Sequence, residues 1–399
     1  MSTVDWLTIL FDSMEDYLPS ICDNSNSVNQ FITILDHAVS VAHHYSLKGN
    51  KEEVIKASDM FEIIGENCDD CAMYEHSLEN YNRSLQLRSQ QLGRLNVKTA
   101  TALDNIGLLY TKTAKYENAI EYHNEAIDIF QKTQGILDKD TAIAYNNLGL
   151  ALIKKGNYKE PLKWYRRCLY IERKLYKHDN IDIAADHNNI GEVYIKRGEY
   201  NRALKHLYKA LLIKFRNVGL NNPNTAITLM NLGSTYWRMK ELNKAKKYTG
   251  KSLRIYKSTY GNIHSSTSLA CNNYASILAD MGRKKEAKEY YAQSLEFGKQ
   301  VHGLYHPEIA LTLLNIGKLY IEDNDIDSSL PYLFSAYKIY SLTVDKDHED
   351  FLRTANQLKI IYLKINKKTN FQTWLKENTN DMVENLAQPC FKKSPDKEK

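Results

Sequence analysis

The tripeptide Asn105-Ile106-Gly107 returns through most of this chain at a fixed spacing of 42 residues. The later copies are Asn147-Leu148-Gly149, Asn189-Ile190-Gly191, Asn231-Leu232-Gly233, Asn273-Tyr274-Ala275 and Asn315-Ile316-Gly317. Self-similarity at one fixed period of this length is the signature of a solenoid, in which similar units stack side by side. Such an array presents an extended surface, so the spacing predicts a binding scaffold.

Each unit contains two helical patterns separated by a turn. In residues 100–141 the first pattern steps by three and four positions, which indicates one buried helical face. Its members are Leu103, Ile106, Gly107 and Tyr110. The pattern breaks at Ala114-Lys115, and a second amphipathic run extends from Tyr116 to Ile129. This run ends near Gly135, a residue typical of helix ends, so each unit is predicted to be a helix–turn–helix.

A glycine, a tyrosine and a small residue recur at constant distances within the unit, as in Gly107, Tyr110 and Ala119. This pattern resembles the tetratricopeptide repeat (TPR), which has Leu-Gly-x-x-Tyr in its first helix and a small residue nine places after the tyrosine. The usual TPR unit has about 34 residues, and the longer units here, exemplified by the segment 303–317, resemble those of kinesin light chain. The resemblance covers roughly residues 57–365. It implies an all-α fold, a TPR superhelical solenoid of antiparallel helix pairs with N- and C-terminal capping helices.

The pattern divides the chain into four predicted segments. They are an N-terminal helical cap (1–56), the TPR solenoid of seven repeats plus a partial eighth (57–365), a C-terminal capping helix (366–387) and a disordered tail (388–399). The first cap is predicted to hold helices near 3–18 and 27–47, because a stacked array exposes apolar surface at its ends. Pro331 lies inside the second helix of the seventh repeat, so we expect that helix to start late or to kink.

The composition is that of an ordinary folded protein, with 43% hydrophobic and 25% charged residues. A net charge of +5 is too small to indicate a nucleic-acid partner. The N-terminus lacks the pattern of a signal peptide, and no apolar run approaches membrane-spanning length. The six cysteines form no disulfide framework, which indicates a reducing compartment. We therefore expect a cytoplasmic protein without a membrane partner.

Asparagine recurs at one position of the predicted first helices, although its amide competes for the backbone and makes it a mediocre helix former. The six residues are Asn105, Asn147, Asn189, Asn231, Asn273 and Asn315, and a second asparagine precedes three of them, at Asn146, Asn188 and Asn272. One interpretation is that these amides bond the backbone of an extended peptide. The TPR resemblance implies the same role, because TPR domains hold bound peptide with asparagine on the first helices of their concave face. The alternative is structural, with each amide bonded to a neighbouring helix.

Four consecutive first helices also end in a basic residue, and these residues are Lys112, Lys154, Lys196 and Arg238. An acidic peptide would be steered to such a face, and Trp237 could hold an apolar anchor of that peptide. The alternative is that the cations are solvated and complement the helix dipole. In repeats six and seven the position holds Asp280 and Glu322, which argues against nucleic acid as the partner.

No stretch of the sequence indicates a cofactor, a metal site or a catalytic centre, so we expect none and predict that the protein is not an enzyme. Cys68 and Cys71 form the only C-x-x-C pair, and they lack the second pair or the spaced histidines of a zinc site, even with His43 and His44 in the chain. His187 stands where other repeats have Leu, Tyr or Cys, so we expect a packed, hydrogen-bonded core histidine.

The favoured function is a protein–protein interaction scaffold or adaptor that binds an extended, acidic peptide segment in the concave groove. The alternative is a peptide-sensing TPR regulator of a signalling partner. Motor-cargo transport is not indicated, because residues 1–56 lack the sustained heptads that precede the repeats in kinesin light chain. The sequence determines neither the identity of the partner nor the oligomeric state.

Overall fold

The computed structural model describes residues 25–71, 73–176, 178–344, 346, 348–365 and 370–379, with side chains described from residue 34 onward. Within these ranges every regular element is an α-helix, seventeen in all, which confirms the predicted all-α class. The chain divides into two compact units, residues 1–197 and 198–399, and each is described by itself.

The described part of the first unit contains eight helices. They are α1 (Ser25–Lys48), α2 (Lys51–Asp70), α3 (Tyr74–Leu92), α4 (Val97–Lys112), α5 (Tyr116–Thr133), α6 (Lys139–Lys154), α7 (Pro161–Leu175) and α8 (Ile181–Lys196). Each helix packs against the next one along the chain, and α4 also contacts α6. The first helices of successive repeats are therefore neighbours, with a core of buried side chains such as Phe130, Tyr145 and Leu148 between the layers.

The described part of the second unit contains nine helices. They are α9 (Tyr200–Val218), α10 (Pro223–Arg238), α11 (Leu242–Tyr260), α12 (Ser265–Asp280), α13 (Lys284–His302), α14 (Pro307–Glu322), α15 (Ile326–Thr343), α16 (Glu349–Ile365) and α17 (Phe371–Thr379). Each helix from α9 to α16 packs against the next, and α17 returns to pack against α15. Here too the first helices of neighbouring repeats touch, α10 with α12 and α12 with α14.

A capping side chain sets the start of each first helix. The caps are Asn96, Asp138 and Asn180 in the first unit and Asn222, His264 and His306 in the second. Each side chain accepts a hydrogen bond from a backbone N–H of the following turn. Such a cap satisfies a donor that has no partner within the helix, and it is worth about 1 kcal/mol. The caps recur at the 42-residue spacing of the tripeptide, so the same kind of capping hydrogen bond stabilises the start of six helices.

The turn after the first helix contains one residue in the left-handed conformation. Gly156 and Gly282 adopt it with φ of 87° and 76°, but Ala114, Lys240 and Asn324 adopt it as well, with φ of 62°, 61° and 58°. This conformation is unfavourable for a residue with a side chain by about 1–2 kcal/mol. The packed helices on either side therefore impose the turn geometry, whatever residue occupies the position.

The glycine of the repeated tripeptide lies where the two helices of a repeat come closest. A Cβ atom on Gly107 would lie 2.8 Å from the ring of His123, and one on Gly149 would lie 2.7 Å from the ring of Tyr165. These distances are shorter than any real contact of a Cβ atom. The ring of the second helix therefore occupies the space that a side chain on the first helix would need.

Two prolines show where the sequence prediction and the structure differ. α15 begins at Ile326, in register with the other second helices, and contains Pro331, so the predicted late start is wrong. Asp325 anchors this start by accepting a hydrogen bond from the Ser328 N–H at 3.1 Å. α7 instead begins at Pro161, later in its repeat than the other second helices, because proline fits the first helical position, where its missing N–H has no intrahelical acceptor.

The two ends of the array are described only in part. The predicted helix at 3–18 and the predicted tail at 388–399 lie outside the described residues. Helix α17 falls within the predicted cap at 366–387, and its Trp374 is buried with its ring 5.0 Å from that of Phe334. Among the described helices, none combines the length and the apolar character that crossing a membrane requires.

Candidate peptide-binding surface

The repeated asparagines link the first helices of neighbouring repeats. Asn105 of α4 donates from Nδ2 to Glu62 Oε1 of α2 at 3.0 Å, and Asn147 of α6 donates from Nδ2 to Asp104 Oδ2 of α4 at 2.8 Å. The acceptor stands 43 residues earlier in each case, one position before the site equivalent to the asparagine. The other described pairs are Asn189 with Asn146 at 3.1 Å, Asn273 with Met230 at 3.5 Å, and Asn315 with Asn272 at 3.1 Å. We call the five donating asparagines the asparagine ladder.

The acidic acceptors of the ladder are themselves held by second helices. Asp104 Oδ1 lies 2.6 Å from Nδ1 of His123 on α5, and both side chains are buried. Glu62 Oε1 accepts from Nη1 of Arg88 on α3 at 2.9 Å, and this guanidinium is only 2% exposed. A hydrogen bond to a charged group is stronger than one between neutral groups. These carboxylates therefore have one position each and present fixed acceptors to the asparagines.

The amide nitrogen and the amide oxygen of a ladder asparagine have different surroundings. The amide nitrogens donate to residues of neighbouring first helices, which supports the structural interpretation. The asparagine side chains are half-buried. Within the described residues, Oδ1 of Asn105, Asn147, Asn189 and Asn315 accepts no hydrogen bond. This oxygen is the part of each amide that a ligand could use. The preceding residues Asn188 and Asn272 are only 6% and 2% exposed, so burial removes them from the predicted ligand contacts.

The predicted basic residues are not equivalent. Lys112 forms an ion pair with Asp69 of α2, with Nζ and Oδ2 2.5 Å apart, so its charge is already compensated. Lys154, Lys196 and Arg238 are exposed and form no ion pair with any described residue. Three of the four predicted cations are therefore available to a ligand. One more lysine on a first helix, Lys318 of α14, was not among the predicted cations. Burial and the nearby positive charge of Arg353 lower the pKa of its ammonium group.

Trp237 is held in place by a residue of the next first helix. Its Nε1 donates to Oδ2 of Asp280 at 2.8 Å, and Lys240 Nζ lies 3.6 Å from the same oxygen. The indole is partly buried beside Tyr236 and Ile277. Trp237 can therefore offer only an edge or a face of a fixed ring to an apolar anchor.

Exposed apolar side chains accompany the asparagine ladder. Ile143 of α6 stands one helical turn before Asn147 and is 44% exposed. In the second unit Ile227 and Leu269 occupy the same repeat position, with 44% and 37% exposure. Large exposed apolar side chains beside half-buried amides are typical of a surface that binds a partner.

The remaining candidates have other roles. His187 is 3% exposed, with Nε2 3.4 Å from Nη2 of Arg173, as predicted for a packed core histidine. Cys68 is buried and Cys71 partly buried, and neither belongs to a cluster of possible metal ligands within the described ranges. None of the four described cysteines is part of a disulfide.

Comparison with known proteins places these observations in a family. The sequence profile described as "Tetratricopeptide repeat" matches residues 69–132, 140–211, 182–258 and 266–342, which together exceed half of the chain. No curated protein matches the sequence.

Several solved structures share the fold at low sequence identity. A Rap protein complexed with the Competence and Sporulation Factor is 14% identical, with a TM-score of 0.61 over 90% of this chain and 97% of that one. The apo form of the quorum sensor NprR from B. thuringiensis is 17% identical, with a TM-score of 0.59 over 78% and 83%. A putative kinesin light chain repeat protein from Podosopora anserina is 15% identical, with a TM-score of 0.43 over 52% and 98%. From the extent of the profile match, the chain belongs to the tetratricopeptide repeat family.

Proposed function

We propose that this protein is an interaction scaffold that binds an extended, acidic segment of a partner along its first helices. The observation that carries the proposal is the asparagine ladder, in which the amide nitrogens are fixed inside the stack while Oδ1 is left without a described partner. A carbonyl oxygen in a fixed position can accept a hydrogen bond from a peptide N–H without losing further side-chain entropy. Neighbouring helices lie about 8–10 Å apart, which is close to the length of three extended residues.

The ligand is proposed to be acidic because of the cations beside the ladder. Lys154 and Lys196 stand at the ends of α6 and α8 without ion pairs among the described residues, and Arg238 occupies the same place in the second unit. Complementary charge raises the association rate and selects among partners. Within each unit an exposed apolar residue would receive apolar side chains of a bound segment, Ile143 in the first unit and Ile227 or Leu269 in the second.

A peptide-sensing regulator is the second candidate. It is favoured by the extent of the likeness to the Rap protein, which reaches 90% of this chain, and by the likeness to a Rap regulator solved with the Phr* peptide, with a TM-score of 0.57 over 85%. Those proteins share less than 20% of their residues with this one. For this chain the regulator differs from the scaffold by a conformational response, so peptide-induced compaction in small-angle scattering would favour it.

The test is selection from a displayed peptide library, followed by binding measurements on charge-reversed variants. The variant Lys154→Glu/Lys196→Glu changes two cations that have no described partner, so it should fold as the wild type does. The matched control Lys205→Glu/Lys209→Glu reverses the same charge on exposed positions of the second helix α9. We expect acid-rich peptides whose binding weakens with salt, is lost in the first variant and persists in the control. Peptides that bind both variants equally well would contradict the proposal.

A further inference from the structure

Three ligand-type side chains meet in the core of the first unit, away from the candidate peptide-binding surface. Cys168 and Glu172 lie one turn apart on α7, and Asp186 lies on α8. One ligand atom from each lies within 4.8 Å of the other two, and the Cys168 Sγ to Glu172 Oε1 distance is 4.0 Å. The three side chains are 1%, 9% and 0% exposed.

The carboxylates of this cluster have no hydrogen-bond or ion-pair partner outside it among the described residues. Both oxygens of Asp186 and Oε2 of Glu172 accept no hydrogen bond from any described residue outside the cluster, and Glu172 Oε1 accepts one only from the Cys168 thiol. A buried carboxylate without a partner is costly, and proteins usually supply a cation or a set of donors. Here the charge of Lys139 acts on Glu172, but Lys139 forms no ion pair with it.

The other repeats provide an internal comparison. Positions equivalent to Cys168, Glu172 and Asp186 are buried in every described repeat, and elsewhere they hold apolar, small, hydroxyl or cationic residues. The neighbouring repeat, for example, has Ala126, Phe130 and Ala144.

Charged residues at the position of Glu172 are satisfied in other repeats. Arg88 binds Asp59 and Glu62, and the Lys214 ammonium donates to the Asn224 carbonyl at 2.8 Å. The repeat that contains Cys168 thus differs from the others in two ways. It brings three ligand-type side chains together, and no described residue outside the cluster donates a hydrogen bond to their carboxylates.

We propose that Cys168, Glu172 and Asp186 form a buried site for a divalent transition metal of the zinc class. One thiolate and two carboxylates suit a borderline-soft ion, whereas calcium and magnesium prefer oxygen ligands throughout. Zinc bonds to sulfur at about 2.3 Å and to oxygen at about 2.0–2.2 Å, so tetrahedral ligand atoms lie roughly 3.5 Å apart. The ligand atoms, which lie within 4.8 Å of one another, would have to move closer together by up to about 1.3 Å to reach this size. The metal would cross-link α7 to α8 and offset two of the three negative charges of its deprotonated ligands.

The test uses the full-length protein after treatment with chelator and reductant. Zinc is added in competition with a chromophoric chelator, and cobalt is added to a second sample as a spectroscopic probe. We expect one metal equivalent per chain, and for cobalt a thiolate-to-metal charge-transfer band in the near ultraviolet. Metal binding should release protons and tighten as the pH rises, because the ligands must be deprotonated.

Each variant introduces a residue that another repeat already holds at the equivalent position. Cys168→Ala and Asp186→Ala copy Ala126 and Ala144, so both should fold, and each should weaken zinc binding at least about 100-fold. Cys168→Ala should also abolish the charge-transfer band, whereas Cys271→Ala, a buried cysteine outside the cluster, should keep it. A second readout is thermal stability. Asp186→Ala should melt above the wild type in chelator and below it in saturating zinc.

Three results would overturn the proposal. The first is the absence of a stoichiometric metal equivalent in the wild type. The second is a cobalt–thiolate band that persists in Cys168→Ala, because this would move the site to another cysteine. The third is a higher melting temperature of Asp186→Ala than of the wild type in both chelator and zinc, because this would mean that zinc does not stabilise the folded protein through Asp186.

Discussion

Asn147 donates from Nδ2 to Asp104 Oδ2 at 2.8 Å, across two neighbouring first helices. Asp104 uses its other oxygen for Nδ1 of His123, 2.6 Å away on a second helix. One buried carboxylate thus joins three helices of two repeats. The amide that a peptide would meet is therefore positioned by a network in the interior, and the binding surface depends on that network.

Replacing Asp104 should destabilise the protein more than replacing the asparagine it holds. Asp104→Ala leaves a buried donor on His123 and the amide of Asn147 unpaired, which should lower the free energy of unfolding by about 2–3 kcal/mol. Asn147→Ala removes a half-exposed partner, and the expected loss is about 1 kcal/mol. Urea denaturation followed by helical circular dichroism measures both, with the exposed Lys154→Ala as control. Equal losses in the two variants would show that Asp104 is not the centre of the network.

Gly149→Ala should be destabilising, although alanine is the better helix former. The change would ordinarily stabilise a helix interior by about 1 kcal/mol, but the new Cβ would lie 2.7 Å from the Tyr165 ring. We expect a net loss of about 1–3 kcal/mol in the free energy of unfolding, which is typical of overpacking. The double variant Gly149→Ala/Tyr165→Ala should lose less stability than the sum of the losses in the two single variants. Additive losses would mean that the ring does not fill this space.

The left-handed turn position predicts two effects of opposite sign. Lys240→Gly should raise the free energy of unfolding by about 1 kcal/mol, because its φ of 61° is unfavourable for a residue with a side chain. Gly156→Ala should lower it by about the same amount, since a Cβ there meets no atom within 4 Å and only the backbone conformation is affected. Denaturant midpoints of the two variants measure the difference. A stabilised Gly156→Ala would contradict the assigned conformation.

The metal-free protein should lose stability as the pH rises. Burial raises the pKa of Asp186 to about 7, and burial with the charge of Asp186 raises that of Glu172 to about 8. Asp182 adds to both shifts, and Lys139 opposes the shift of Glu172. Between the ordinary carboxyl pKa and these raised values, the folded state keeps protons that the unfolded state has released. The contribution of the two carboxyl groups to the free energy of unfolding is therefore complete at low pH and declines between about pH 4 and 8.

Melting curves in chelator across that range test the sign of the effect. Asp186→Ala should flatten the decline because it removes one of the two coupled groups. The control Asp182→Asn changes an exposed neighbour and should leave most of the slope in place. A wild-type melting temperature that rises from pH 5 to 8 in chelator would contradict the assignment.

Most of the fold could be predicted from local sequence. The recurring caps and the apolar stepping each act within about one or two helical turns, and the glycine of the tripeptide lies 16 residues before the ring that it faces, so the spacing of all three is visible in the sequence. Pro161 and Pro331 mark the limit. Both interrupt a second-helix pattern, yet Pro161 delays its helix, whereas Pro331 lies within one that begins in register. The position of each proline relative to the cap decides the outcome, and that position depends on the neighbouring turn.

The candidate surface could be predicted in its position but not in its chemistry. Repeated asparagine is conspicuous in a helix because it is a poor helix former. Its acceptors share one repeat position but differ in kind, as Glu62, Asp104 and Met230 do, so the chemistry of each contact is not visible in the sequence. Lys112 and Lys154 look alike in the sequence. Only the structure shows that Asp69 already pairs with the first of them.

The sequence by itself determined that this protein is a stack of helix pairs in which asparagines and cations recur on the first helices. Periodicity carries that information because it records which side of a helix is buried. The tertiary structure alone decided which side chains from different helices meet, as Asn147 meets Asp104 and as Cys168 and Glu172 meet Asp186. Such contacts depend on the stagger and approach of packed helices, and these are set by the whole core between them.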